Sequence, residues 1–277
     1  MSLPIISANN CSPRVSSTPE TSSLRQVAVI ADRLAVPLTY VALVAMWEGA
    51  CRLFAIPAFL LPTPSSIVGS FGSLPMTAWL GHIWATLSVA LIGYVMAIVI
   101  SIPLAILLTR SRYLTRTVLP LLVVIQSTPI VAVAPIIVVV LGASSLPRIL
   151  ITFLISFFPI VVSSVTGLNA APPELIELSR SLRAHPVREI TQIRLPSALP
   201  YIFAALKIST TLSVIGAVVG EFVAAEKGLG YFILFSTSSL KTASAFLALC
   251  ILVTISLSMF YLVAAIQRTF FAWTLRT

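Results

Sequence analysis

From Leu34 onward the chain is built of long apolar runs separated by short polar stretches. Runs of about 20 apolar residues match the thickness of a bilayer's hydrocarbon core. Six spans are predicted near residues 34–54, 82–108, 118–141, 149–168, 201–222 and 245–266. The fold class expected is an all-α polytopic membrane protein. Residues 1–25 break the pattern: they are rich in Ser, Thr, Pro and Asn and poor in large apolar side chains. Such a segment buries too little surface to fold and is predicted to be a disordered cytoplasmic tail. Residues 26–277 then form a single transmembrane domain. No cleavable signal is expected, because the first apolar run starts only near Leu34.

One polar stretch is too long and too ordered to be a simple connector. The loop 169–200 carries Glu174, Glu177, Glu189, Arg180, Arg183, Arg188 and Arg194, charges that would each cost several kcal/mol in hydrocarbon. Pro172 and Pro173 suit a helix start, and Glu174 and Glu177 favour its positive end. Leu175, Leu178 and Leu182 fall on one helical face. Pro186 interrupts, and a second short helix is predicted to run to Leu195 before Pro196 and Pro200 stop it. The expected form is a helix-turn-helix on the membrane surface. Spacing alone leaves open a plain amphipathic surface loop.

The third span is the other irregularity. It contains Pro120, Pro129 and Pro135 and a polar cluster of Gln126, Ser127 and Thr128. Proline frees backbone carbonyls that neighbours or water must satisfy. Such broken helices line substrate paths in some transporters, and in others they are kinked packing helices whose polar groups pair across helices.

Composition agrees: 58% of residues are hydrophobic and 9% charged, against about a quarter charged in soluble domains. The net charge of +9 is unevenly placed. With both ends inside, the arginines at 14, 25, 33, 110, 112, 116, 180, 183, 188, 194, 268 and 276 are cytoplasmic, and the outer loops keep Arg148, Lys227 and Lys241. That is the positive-inside bias, not a nucleic-acid footprint. Glu48 and Arg52, one turn apart, are predicted to pair. Three cysteines without metal-site or disulfide spacing suggest no metal and no disulfide framework. No lysine sits in a P-loop, so no ATP site or other cofactor is expected. His82 and His185, the only histidines, are predicted at opposite faces. No H-E-x-x-H or G-x-S-x-G motif accompanies them, so no enzyme is expected.

Glu177-Leu178-Ser179, then Arg183, then Ile193-Arg194-Leu195-Pro196 resemble the E-A-A, three residues, G, nine residues, I-x-L-P pattern of permease subunits of ATP-binding-cassette importers. Leu178 and Ser179 replace two alanines, and Arg183 replaces a glycine suited to a left-handed turn; a differently shaped turn is expected there. Leu61-Pro62-Thr63-Pro64-Ser65, Gln126-Ser127-Thr128-Pro129 and Val219-Gly220-Glu221 with Gly228-Leu229-Gly230-Tyr231 are similar to the branch serving sulfonates, taurine, nitrate and thiamine-pyrimidine precursors. The resemblance covers roughly residues 34–273. It implies a coupling loop (Glu174, Glu177, Leu178, Ser179, Arg180, Leu182, Arg183, His185, Pro186) and a pathway or gate (Gln126, Ser127, Thr128, Pro129, Gly220, Glu221). It also implies separate ATPase subunits, a soluble substrate-binding protein, a second copy of the chain and a place among the lipids of a bacterial inner membrane.

A secondary transporter is the competing reading; the lack of internal repeats and of intramembrane acids other than Glu221 speaks against it. For the substrate, an acid near the outer end of a pathway helix would repel an anion and tolerate a neutral or cationic ring, which favours a pyrimidine precursor or similar heterocycle over sulfonate, taurine or nitrate. Alternatively, Glu221 is a structural group capping the turn before Gly228.

Overall fold

The computed structural model describes residues 20–275, with backbone alone for 20–34, 36, 112 and 275. It is all-helical; no strand occurs among the described residues. Of the tail expected over 1–25, residues 1–19 lie outside the described residues, and 20–25 are helical: α1 spans Glu20–Leu53. No proline or glycine occurs between Glu20 and Val36, so a helix nucleated in the apolar run extends backwards at little cost. α1 covers the first expected span. Within it Arg52 Nε donates to Glu48 Oε1 at 2.7 Å, the predicted i, i+4 pair. The chain divides into two compact units after Ala55.

The second unit begins with a short helix, α2 (Pro64–Gly69), started by Thr63, whose Oγ1 accepts from Ser66 N, and by Pro64 in the first turn. Then come α3 (Met76–Thr109), α4 (Arg112–Gln126), α5 (Ile130–Leu141), α6 (Ser145–Asn169), α7 (Pro173–Ser181), α8 (Pro186–Glu189), α9 (Leu195–Ala224), α10 (Leu229–Ser238) and α11 (Thr242–Phe270). Among the described residues four helical stretches are long and apolar enough to cross a membrane: Met76–Thr109, Ser145–Asn169, Pro186–Ala224 and Thr242–Phe270. The bent pair α4–α5 makes a fifth if it counts as one span.

α6 is the axis of this unit, packed between α3 and α9. Its Ile151, Ile160, Val161, Val165 and Leu168 are fully or almost fully buried. In lipid, helices associate through close packing, because apolar surface gains nothing by leaving hydrocarbon. The chain meets that need with small residues: a Cβ on Gly93 of α3 or on Gly216 of α9 would stand 2.6 or 2.7 Å from atoms of Thr152. Pro159 interrupts the hydrogen-bond ladder of α6. Hydroxyls reach the loosened turn from both neighbours, Ser101 to Phe157 O at 3.1 Å and Ser209 to Ser156 O at 3.3 Å.

One expectation needs correction. The second loop helix does not stop at Pro196 and Pro200. The chain passes from α8 through a π-turn, Ile190–Arg194, straight into α9. Widening the turn to i→i+5 bonding at the proline lets the helix continue without the amide Pro196 lacks. The third expected span takes the broken form rather than the kinked one: α4 and α5 meet at 88°. Ser127 caps α4, with its N–H on Val123 O and its Oγ donating to the same carbonyl at 2.9 Å, and Pro129 opens α5. A helix normally ends before a proline because the preceding residue is pushed out of the α region.

Candidate functional site

At one end of the second unit stands the loop 169–200. Leu175, Leu178, Leu182 and Val187 are exposed, Leu182 by 73%, so the apolar face predicted for α7 has no covering partner among the described residues. Glu174, Glu177, Arg180, His185 and Pro186 are also exposed, while Ser179 is buried. The turn after α7 is a Schellman motif: Ala184 N donates to Ser179 O and Arg183 N to Arg180 O, both at 3.0 Å. Arg183 sits in the left-handed region at φ 50°. This corrects the expectation of a differently shaped turn. The arginine adopts the glycine conformation and bears its steric cost of about 1–2 kcal/mol.

What fixes the loop went unrecognised in the sequence. Glu189 Oε1 receives both Nε and Nη2 of Arg194 at 2.8 Å, Oε2 lies 3.6 Å from Arg180 Nε, and Arg194 Nη1 reaches Leu168 O at 3.4 Å. Glu189 and Arg194 are five residues apart, and the π-turn between them brings their side chains together; a spacing rule for α-helices does not flag that pair.

At the other end, Gly228 stands at φ 136°, ψ 164°, a region essentially reserved for glycine. It leads into α10, whose first amides would be orphans. Side chains of α3 and α9 take them: Leu229 N donates to Thr86 Oγ1 at 2.8 Å and Gly230 N to Glu221 Oε2 at 2.7 Å. His82 Nδ1 lies 3.2 Å from Gly228 N and 3.1 Å from Gly228 O. Protonated on Nε2, the ring accepts from the amide; protonated on Nδ1, it donates to the carbonyl. Trp79 packs edge-on against Phe232, with ring centres 5.0 Å apart, and closes the cluster. Of these groups the sequence pointed to Glu221, Gly228 and Gly230; Thr86 went unnoticed, its one signal being its place a turn after His82.

Glu221 is 1% exposed and holds the start of α10, the structural alternative weighed for it above. Gly220 lets α9 touch α6, since a Cβ there would meet Arg148 Cα at 2.9 Å. Beside this cluster opens a cleft of about 930 Å³ lined by Ser88, Arg148, Glu221, Glu226, Lys227 and Tyr231.

The third predicted element, Gln126-Ser127-Thr128-Pro129, lies in the break between α4 and α5 and is exposed throughout. The structure thus separates the predicted residues into a loop at one end, Gly220 and Glu221 at the other, and a bare polar break. Among the described residues no cluster of metal-binding side chains occurs.

Residues 98–271 match the family described as "Binding-protein-dependent transport system inner membrane component". The riboflavin transport system permease protein RibX of Chloroflexus aurantiacus is 34% identical over 241 residues, covering 87% of this chain and 90% of that protein. The formylaminopyrimidine transport permease protein ThiX of Halalkalibacterium halodurans is 36% identical over 195 residues, covering 70% and 78%. A structure of the inward-facing MetNI methionine ABC transporter superimposes with a TM-score of 0.60 at 25% identity, covering 70% of this chain and 96% of that one.

Proposed function

We propose, for a chain that belongs to the family of binding-protein-dependent transport system inner membrane components, that it forms half of a translocation path for a small nitrogen heterocycle. As an importer permease it is a transport subunit rather than an enzyme, which sets aside the secondary-transporter reading. The observation that carries the path is the exposed polar break at Gln126–Pro129. Non-helical backbone at membrane depth is tolerated only against protein or a water-filled cavity. A second copy facing this break would supply both. The exposed leucine face of α7 suits docking into a separate ATPase, with Glu177 and Leu182 at the contact, and a soluble binding protein would deliver the solute.

Two relatives that support the heterocycle, at 34% and 36% identity, carry the names of riboflavin and a formylaminopyrimidine, while one at 26% is named for aliphatic sulfonates. Riboflavin and formylaminopyrimidine are nitrogen heterocycles rather than small anions. Uptake by proteoliposomes holding the permease, its ATPase and its binding protein tests the assignment. Riboflavin or formylaminopyrimidine is expected to be taken up on ATP addition. Uptake of an alkanesulfonate, taurine or nitrate with neither heterocycle would overturn it.

The orientation proposed puts the loop 169–200 in the cytoplasm, with both chain ends on that side, in a bacterial inner membrane. Cysteines introduced at Ser66 and Ser144 are expected to react with an impermeant thiol reagent from outside, and one at Ser181 only after the membrane is opened. External labelling at Ser181 would invert the topology and remove the docking argument.

A further inference from the structure

Between the last turn of α3 and the loop lies a second cavity, of about 370 Å³, lined by Thr109, Arg110, Arg180, Glu189 and Arg194 among others. Three guanidinium groups share it with one carboxylate. Arg194 claims that carboxylate with two donors at 2.8 Å and is itself nearly buried. Arg180 stands off at 3.6 Å from the second oxygen, with its side chain two-thirds exposed. Arg110 is exposed and has no acidic partner among the described residues. Two positive charges are therefore left over at one cavity. They come from different elements, the end of α3 and α7.

We propose that this cavity binds a phosphate group, held between Arg110 and Arg180. A guanidinium presents a planar fork of donors that fits phosphate oxygens in pairs. A tetrahedral anion can accept from two such forks arriving from different directions, whereas cations are repelled by the excess charge. The volume falls in the range of small-ligand sites, about 300–1,000 Å³. Basic pockets between membrane helices on the cytoplasmic side bind anionic lipid headgroups, and inorganic phosphate offers the same oxygens from solution. Either occupant neutralises the repulsion between Arg110 and Arg180 and ties the loop to the bundle. The Glu189–Arg194 pair stays intact, because the anion takes the donors that pair leaves free.

The test uses the purified full-length permease in nanodiscs of phosphatidylcholine alone, of phosphatidylcholine with phosphatidylglycerol, and of phosphatidylcholine with added inorganic phosphate at matched ionic strength. Phosphatidylglycerol or phosphate is expected to raise the thermal midpoint by about 2–4 °C. Arg110→Gln is expected to lose most of that shift, and Arg116→Gln, an exposed residue that does not line the cavity, to keep it. A shift with phosphatidylglycerol alone identifies the headgroup as the source; a shift with phosphate alone identifies the soluble anion. The proposal fails if neither arm shifts the wild type, or if the two variants respond alike. Native mass spectrometry of the wild type provides a readout that needs no variant: retention of phosphatidylglycerol no better than phosphatidylcholine, with no phosphate adduct, also overturns it.

Discussion

Gly228→Ala is expected to leave almost no folded permease in the membrane. The backbone there is in the glycine-only region, which costs a residue with a side chain about 1–3 kcal/mol. The new methyl group would also overlap the carboxyl group of Glu221. Moving that carboxyl group strands Gly230 N–H and the buried oxygen it binds, at about another 1–3 kcal/mol for each unsatisfied group. Against a total stability of about 5–15 kcal/mol, that sum is large. Two other glycines separate the contributions. Gly142 has φ 80° but open space around it, and Gly72 has open space and an ordinary backbone. Membrane yield and thermal midpoint are expected to fall steeply for Gly228→Ala, modestly for Gly142→Ala and hardly at all for Gly72→Ala. A Gly228 variant that behaves like the Gly72 variant would refute the role given to the amide clamp.

Glu177→Ala and Leu182→Asp are expected to abolish substrate-stimulated ATP hydrolysis in the assembled transporter while sparing the permease itself. Both side chains are exposed, and exposed substitutions away from special features change stability by less than about 0.5 kcal/mol. Any large effect must therefore arise at a docking partner. Interface residues of the anchoring kind contribute about 2 kcal/mol or more, which corresponds to roughly a thirtyfold loss in affinity. An aspartate placed where a leucine meets an apolar groove is expected to reach that value. Unchanged insertion and midpoint, with stimulated hydrolysis down at least tenfold, is the expected result. Normal stimulated hydrolysis from both variants would show that α7 is not the coupling contact.

The proline-bearing stretches follow one pattern. A helix end was predicted at Pro196, and the chain runs on because a π-turn just before it removes the need for the missing amide. The three prolines of the third expected span left a broken and a kinked helix open, and the structure places an 88° break at Pro129 while Pro120 and Pro135 sit inside helices. Proline marks where a helix can fail, but the surrounding polar groups decide whether it does. Ser127 is available beside Pro129 to close the end of α4.

The class of the protein, the approximate placing of its apolar helices, the loop 169–200 and the apolar face of α7 could all be read along the chain. These depend on local composition and period, which hydrocarbon and the helical repeat convert directly into structure. The sequence also placed Gly228 at a special turn, because glycine's conformational freedom is a property of the residue itself. The partners of the buried charged groups came from the folded arrangement alone. Glu221 holds the start of α10 because Gly230 arrives nine residues later with a free amide. Thr86 joins it from a helix 143 residues before the amide it receives. Glu189 becomes the staple of the loop only once a π-turn has brought Arg194 round to it. Hydrogen bonds and ion pairs act over a few ångströms. Which groups come that close is set by the packing of α3, α6 and α9, and no stretch of the chain read alone contains it.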